Sequence, residues 1–381
     1  MSSKPNLSIL NISLASGGAE KVISLLLQKL IKDYNVTLIL FYKEVHFKIP
    51  EDVNVIFLSN QLTTRAFYLK LIDSIKFIFK YNRILKEKKI KYAISFLAFP
   101  NLINGIISSF NKDTKTFISE RGFPSDNTTS KLSLYISQIC YPILYNRCYK
   151  LFSNSEFIND DLKNNFGVKI PMEVIYNPIE IPINTISPLS LANNINVLKV
   201  ITAGTLNKRK NQIMILRALE ASKLIYKLNI LGGGNLKDYL SEQIKNKKLE
   251  KEACLMGKVK NVNDYLLNSH CFVLSSFTEG FPNALLEGMA IGLPSISTNC
   301  LSGPLELLND NDPIDINTGE FYLAKYGILI NNDDHLALQK ALDYFNNHPK
   351  EREKYSVLSL KRSKQYHLEN IYSQFNDFIT T

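Results

Sequence analysis

Glu279 and Glu287 stand eight residues apart, and two acceptor-only carboxylates at that spacing suit hydroxyl-rich neutral ligands such as a hexose and a ribose. Between them runs Gly280-Phe281-Pro282-Asn283-Ala284-Leu285-Leu286. The backbone N–H groups of Gly280 and Phe281, with a positive helix end behind them, form a cradle for a phosphate or sugar oxygen. A second loaded stretch is Lys208-Arg209-Lys210-Asn211, three consecutive cations between an expected strand and an expected helix, an arrangement that holds anions. Each stretch also has a plainer reading. Acids favour the first turn of any helix, and a lysine-rich loop is often simply solvated.

The flanking residues say what must position these groups. Cys271-Phe272-Val273-Leu274 is an apolar run ended by Ser275 and Ser276, which predicts a short buried strand. Pro282 suits the first turn of a helix that continues through Ala290, and Gly292-Leu293-Pro294 stops it. Residues 294–298 then give a second strand, closing the strand–helix–strand unit of a parallel sheet. The apolar run 197–203 leads into Gly204-Thr205-Leu206-Asn207 and the cations. Residues 228–234 end in Gly232-Gly233-Gly234 before a helix from Leu236; that run either leaves room for a nucleotide or makes a tight turn.

The first half repeats the pattern. Residues 7–13 predict an opening strand, followed by Gly17 and Gly18 and an amphipathic helix through Leu30. The glycine pair either lets backbone approach a ligand or forms a simple turn. Further strands are expected at 36–41, 53–58, 92–96 and 116–119, the last running into Glu120-Arg121, a pair suited to ligand contact or to a structural salt bridge. Two short strands at 151–155 and 174–178 precede a stretch rich in Pro, Asn and Ser. The expected organisation is α/β, with a first domain at 1–183, a linker at 184–196, a second domain at 197–360 and terminal helix at 361–381.

Length and composition agree with two soluble domains: 381 residues, 45% hydrophobic and 21% charged. Five scattered cysteines without a CxxC pair argue against a zinc site or disulfide framework. No apolar run approaches the roughly 18 residues needed to span a bilayer, and the start carries no secretory pattern, so a cytoplasmic location is expected. The net charge of +10 is concentrated in the first half, at +8 for residues 1–190. Residues 65–91 alone carry +7, with Phe67, Tyr68, Phe77, Phe79 and Tyr81 interleaved. Lys76, Lys80 and Arg83 share one helical face, and Leu71, Ile75 and Ile78 another. This segment reads as a solvated helix or as one docking on anionic lipid headgroups; no nucleic-acid module accompanies it.

The stretch Glu279 to Glu287 resembles the E-x7-E signature of retaining glycosyltransferase family 4, and Gly303-Pro304-Leu305-Glu306 resembles the GPxE segment of its bacterial polysaccharide members. The resemblance implies a GT-B fold, two Rossmann-like domains with the active site in the cleft between them. It assigns Glu279 to the donor hexose and Glu287 to the nucleotide ribose, with Gly280, Phe281, Pro282, Asn283 and Leu286 in the donor site. Gly17 and Gly18 match its first loop, and Gly204, Thr205 and Gly232 its donor loops. Lys210-Asn211 matches the end of a pattern whose Arg and Lys neutralise the donor diphosphate. Thr205 stands where that Arg is usual, and Arg209 is the nearest substitute. Arg121 occupies a place where many members carry His, as in a subset resembling O-antigen transferases; with Glu120 it is assigned to the acceptor side.

The expected activity is a hexosyltransferase that moves a sugar from a UDP-sugar to a lipid-linked glycan in O-antigen, capsule or glycoprotein-glycan assembly. Retention and no obligatory metal are implied, and no DxD-like pair ends a strand. The expected place of work is the inner face of the cytoplasmic membrane. Two rivals share the scaffold: another GT-B enzyme such as a nucleotide-sugar epimerase or sugar phosphorylase, and a catalytically silent interaction protein.

Overall fold

The computed structural model describes residues 4–60, 67–126 and 131–381, with 67–72 and 74 described by backbone alone. The chain forms two compact units, Met1–Pro178 with Leu368–Thr381, and Ile179–His367. In the first unit a seven-stranded parallel sheet has the order β3-β2-β1-β4-β5-β6-β7. Its strands are β1 (Asn6–Asn11), β2 (Asn35–Leu40), β3 (Asn54–Phe57), β4 (Tyr92–Phe96), β5 (Lys115–Glu120), β6 (Lys150–Ser153) and β7 (Met172–Val174). The connecting helices are α1 (Gly18–Asp33), α2 (Phe67–Glu87), α3 (Ala98–Ser108), α4 (Lys131–Leu144) and α5 (Glu156–Phe166). The strands read as continuous apolar runs because a parallel sheet is covered on both faces. One face packs on α1; the other packs on α2 and α3 through Phe77, Tyr81, Ile103 and Ile107, and farther along on α4 and α5.

The second unit repeats the plan with α6 (Pro188–Leu191), β8 (Leu198–Ala203), α7 (Gln212–Ala221), β9 (Tyr226–Leu231), α8 (Lys237–Asn246), β10 (Ala253–Gly257) and α9 (Val262–Leu267). It continues through β11 (Cys271–Leu274), α10 (Asn283–Ile291), β12 (Ser295–Thr298), α11 (Pro304–Asn309), β13 (Phe321–Leu323), β14 (Ile328–Ile330), α12 (His335–Asn347) and α13 (Pro349–Ser363). The sheet order is β10-β9-β8-β11-β12-β14-β13, and β13 is an antiparallel edge strand. A last helix, α14 (Leu368–Thr380), belongs to the first unit, where Ile371, Phe375, Phe378 and Ile379 complete the core beside α1.

Three expectations change. The stretch 184–196 is not a free linker but part of the second unit. Its α6 is held by Arg352, a fully buried guanidinium that donates to the carbonyls of Leu191 (3.2 Å) and Asn193 (2.6 Å). The division falls at Pro178/Ile179 rather than at 183, and residues 361–367 stay with the second unit. On α2 the packed stripe is Phe77, Tyr81 and Leu85, while Ile75 is exposed. Lys80 donates to the Leu58 carbonyl (2.9 Å) and Arg83 pairs with Glu87 (2.6 Å). Arg65 lies outside the described residues, as do the side chains of Phe67, Tyr68, Lys70 and Leu71. Among the described residues no helix is long and apolar enough to cross a membrane.

Candidate functional site

In the second sheet β8 and β11 are neighbours, pairing Val200 with Cys271, yet the chain leaves them in opposite directions: β9 lies beyond β8 and β12 beyond β11. Loops leaving such a pair spread apart at their carboxyl ends, and that crevice is where open α/β sheets bind ligands. Lys210 arrives on the loop after β8 and Glu279 on the loop after β11, and Lys210 Nζ lies 2.5 Å from Glu279 Oε1. Ser276 Oγ donates to the same oxygen at 2.5 Å. Both of these side-chain donors meet Oε1, and among the described residues no side chain donates to Oε2. The Glu279 side chain is 6% exposed and that of Lys210 15%. A charge pair this buried makes removal of one partner costly, because the other is left desolvated and alone.

The surrounding backbone fixes both side chains. The Ser275 hydroxyl donates to the Lys210 carbonyl (2.8 Å) and the Phe277 N–H to the Arg209 carbonyl (2.8 Å), stitching the two loops together. Asn207 caps the short turn 208–210 by accepting the Lys210 N–H at 3.1 Å. Glu279 N–H donates to the Leu301 carbonyl (2.7 Å), and Ser302 N–H returns to the Glu279 carbonyl (3.0 Å). Behind Lys210, the Gly204 N–H donates to the Leu231 carbonyl (3.0 Å). A side chain at Gly232 would meet the Gly204 carbonyl at 1.9 Å, and φ there is +129°. The glycine run therefore serves close backbone approach between the loops after β8 and β9.

The rest of the Glu279–Glu287 stretch divides by burial. Pro282 is the N-cap of α10 rather than part of its first turn, so the helix starts at Asn283, one residue later than a first-turn proline would give. Gly280 is buried, and Phe281 is buried with its ring 5.4 Å from that of Tyr366, so it anchors the loop. Leu286 faces the core at 1% exposure. Asn283 and Glu287 are half-buried on α10, which Gly292 closes in the left-handed conformation its sequence predicts. Thr205 and Arg209 are exposed, and among the described residues no ion pair holds Arg209.

In the first unit Gly17 is the N-cap of α1, and Gly18 is exposed at its first turn. The space a side chain at Gly17 would need is filled by the Glu20 carboxylate, 2.1 Å from that position. Burial raises the Glu20 pKa. Glu120 ends β5 almost fully buried, and burial pushes its pKa up to about 7 against the N–H of Arg121 and the Tyr145 hydroxyl, which both donate to it. Arg121 lies between the rings of Phe96 (5.0 Å) and Phe152 (4.9 Å) and donates to Asn177 Oδ1 at 2.9 Å. Burial lowers its pKa to about 9.

Sequence reasoning missed several of these partners. Ser276 and Asn207 were visible only as loop polar residues, although an Asn three residues before Lys210 is a cap signature. Leu97, after β4 at the first sheet's own point of reversal, has φ +72°, a strained conformation for a side chain of its size; nothing in the sequence flags it.

Comparison with known proteins adds to this geometry. The description "Glycosyltransferase Family 4" matches residues 16–181 and "Glycosyl transferases group 1" matches residues 190–358. Anabaena HepE, solved with UDP and glucose, superposes with a TM-score of 0.76 over 99% of this chain and 100% of its own at 16% identity. The lipopolysaccharide outer core galactosyltransferase WaaB, in its apo form, gives 0.69 over 98% and 99% at 18% identity. The architecture is that of the GT-B enzymes. The Campylobacter jejuni N-acetylgalactosamine-N,N'-diacetylbacillosaminyl-diphospho-undecaprenol 4-alpha-N-acetylgalactosaminyltransferase is 28% identical over 94% of this chain and 95% of its own length. A second C. jejuni protein, an alpha-1,4-N-acetyl-D-galactosaminyltransferase acting on a diNAcBac-PP-undecaprenol glycan, is 26% identical over 96% and 95%. Between them the two family descriptions span most of the chain, which is a family-4-like glycosyltransferase of the GT-B fold and an enzyme of the hexosyltransferase class.

Proposed function

We propose that this enzyme moves a hexose or N-acetylhexosamine from a UDP-sugar to a lipid-linked oligosaccharide, with retention and an α-bond, in the assembly of a bacterial surface polysaccharide or glycan. The observation that carries the reading is the Lys210–Glu279 contact at the second sheet's point of reversal. Lys210 offsets the charge of the departing diphosphate, and Glu279 holds the hexose by accepting from its hydroxyls. The bond from the sugar's anomeric carbon to the β-phosphate oxygen breaks as the acceptor oxygen bonds to that carbon from the same face. The acceptor's proton passes to the departing phosphate oxygen, so no separate base is needed. The Lys210 ammonium supplies cationic charge where other transferases use a metal, and metal independence is part of the proposal. The undecaprenol-linked acceptors named for the two C. jejuni relatives support a lipid-linked acceptor here, reached from the inner face of the cytoplasmic membrane with the basic segment 65–91 against anionic headgroups.

The test is release of free UDP from a panel of UDP-sugars, with and without lipid-linked acceptor and with EDTA. Turnover that needs the acceptor, survives EDTA and falls on Glu279→Ala and Lys210→Ala supports the reading. Epimerisation without acceptor, or turnover indifferent to both substitutions, would overturn it.

A further inference from the structure

The helix α4 carries an apolar face that nothing covers among the described residues of the first unit. Leu132, Tyr135, Ile136, Ile139 and Ile143 recur at helical spacing, and each is between 43 and 68% exposed. The opposite side of the same helix already fills its core position: Tyr141 is buried and stacks on Tyr145 at 4.3 Å, with Leu134 and Cys140 packed nearby. Scattered exposed apolar residues are ordinary, but five along one helix stripe mark a surface with an occupant. Lys131–Leu144 contains no acidic residue. Exposed Lys131 stands at its start and exposed Arg147 just past its end. Both α4 and α2 pack against α3, so α2 lies on the same side of the sheet, with Phe79 72% exposed and Lys76 and Arg83 exposed beside it.

We infer that α4 is a membrane-inserting helix, which lays its apolar stripe into the headgroup–acyl boundary of an anionic bilayer while the cations of α2 and the α4 ends meet the headgroups. Charge favours this occupant over a second copy of the chain. Two copies joined symmetrically through α4 would set the cations at the ends of one helix against those of the other, with no acidic residue on either helix to meet them, whereas an anionic lipid surface complements them. The inference deepens the membrane part of the proposed function. It assigns the salt-resistant share of binding to α4 and leaves only the salt-sensitive share to residues 65–91.

Flotation of the full chain with vesicles enriched in phosphatidylglycerol, and with phosphatidylcholine alone, at low and high salt, tests it. The triple variant Leu132→Ser, Ile136→Ser, Ile139→Ser should partition at least about tenfold more weakly at high salt, since three apolar side chains no longer leave water. Its melting temperature should be unchanged, because all three side chains are exposed. A variant with Lys76, Lys80 and Arg83 changed to Ala should lose only the salt-sensitive share. Wild-type-like flotation of the triple variant would overturn the inference, as would a concentration-dependent dimer, seen by light scattering, that the triple variant abolishes. Flotation is read without turnover, so a chain that binds lipid through α4 but releases no UDP retires the transferase reading alone.

Discussion

The two sheets share the order of their first five strands but treat the polar groups at their carboxyl ends in opposite ways. In the second unit, Lys210 and Glu279 find each other and Ser276 in a frame of backbone hydrogen bonds that fixes both loops. In the first unit, Glu120 is pressed into the core and Arg121 lies half-buried beside it. Arg121 Nε, Asn154 Oδ1 and Asn11 Oδ1 are buried without partners among the described residues. Burial shifts both Glu120 and Arg121 toward neutrality. One end is thus a preset ion pair, and the other a polar floor that keeps unmet hydrogen-bonding capacity. A single doubly wound plan supports either arrangement, because the loops rather than the sheet decide which polar groups meet.

The largest expected effect lies at the preset pair. Glu279→Ala and Lys210→Ala should each lower kcat/KM about 10²–10³-fold, and the double variant should cost little more than either single one. Multiplicative losses in UDP-release assays would mean that the two side chains act apart, and the contrast with the first unit would fail. Next comes the frame. Gly232→Ala puts a methyl group against the Gly204 carbonyl at a positive φ and should lower unfolding stability by about 1–3 kcal/mol, read from urea midpoints.

The smallest effect sharpens the first unit's side. Glu120 has a folded pKa near 7, above its ordinary 4.5, so the folded state keeps a proton that the unfolded chain has released. Its contribution is fully present below pH 4.5 and is lost as pH rises toward 7, at no more than about 1.4 kcal/mol per pH unit. Glu120→Gln should flatten that slope in urea titrations run across the range. An unchanged slope would place the proton elsewhere.

Much of this was legible in the sequence because a doubly covered parallel sheet writes itself as short apolar runs. The runs at 36–41, 92–96 and 197–203 each fall on a strand. The Lys210–Glu279 contact was not legible from pattern, since the partners are 69 residues apart and only the fold brings their loops together. Resemblance to a known motif named both residues, but it did not supply Ser276 or the Leu301–Ser302 backbone that holds Glu279. The edge strand β13 escaped because it is only three residues long and partly exposed, too short for a periodic pattern. The stretch 184–196 misled because Pro, Asn and Ser mark a chain free of pattern, whereas its carbonyls are claimed by Arg352 from more than 150 residues away. Ile75 misled because several apolar stripes fit α2, and contact with Phe41 selects the one holding Phe77 (ring centroids 5.0 Å apart).

The most direct measurement of the central claim is calorimetric titration of the whole enzyme with UDP and with a UDP-sugar that it turns over. If Lys210 faces the diphosphate and Glu279 the hexose, Lys210→Ala weakens both ligands alike. Glu279→Ala, which leaves Lys210 unpaired, should change UDP affinity less than Lys210→Ala does and remove the extra affinity of the UDP-sugar. Equal binding of both ligands by wild type and both variants would contradict the account.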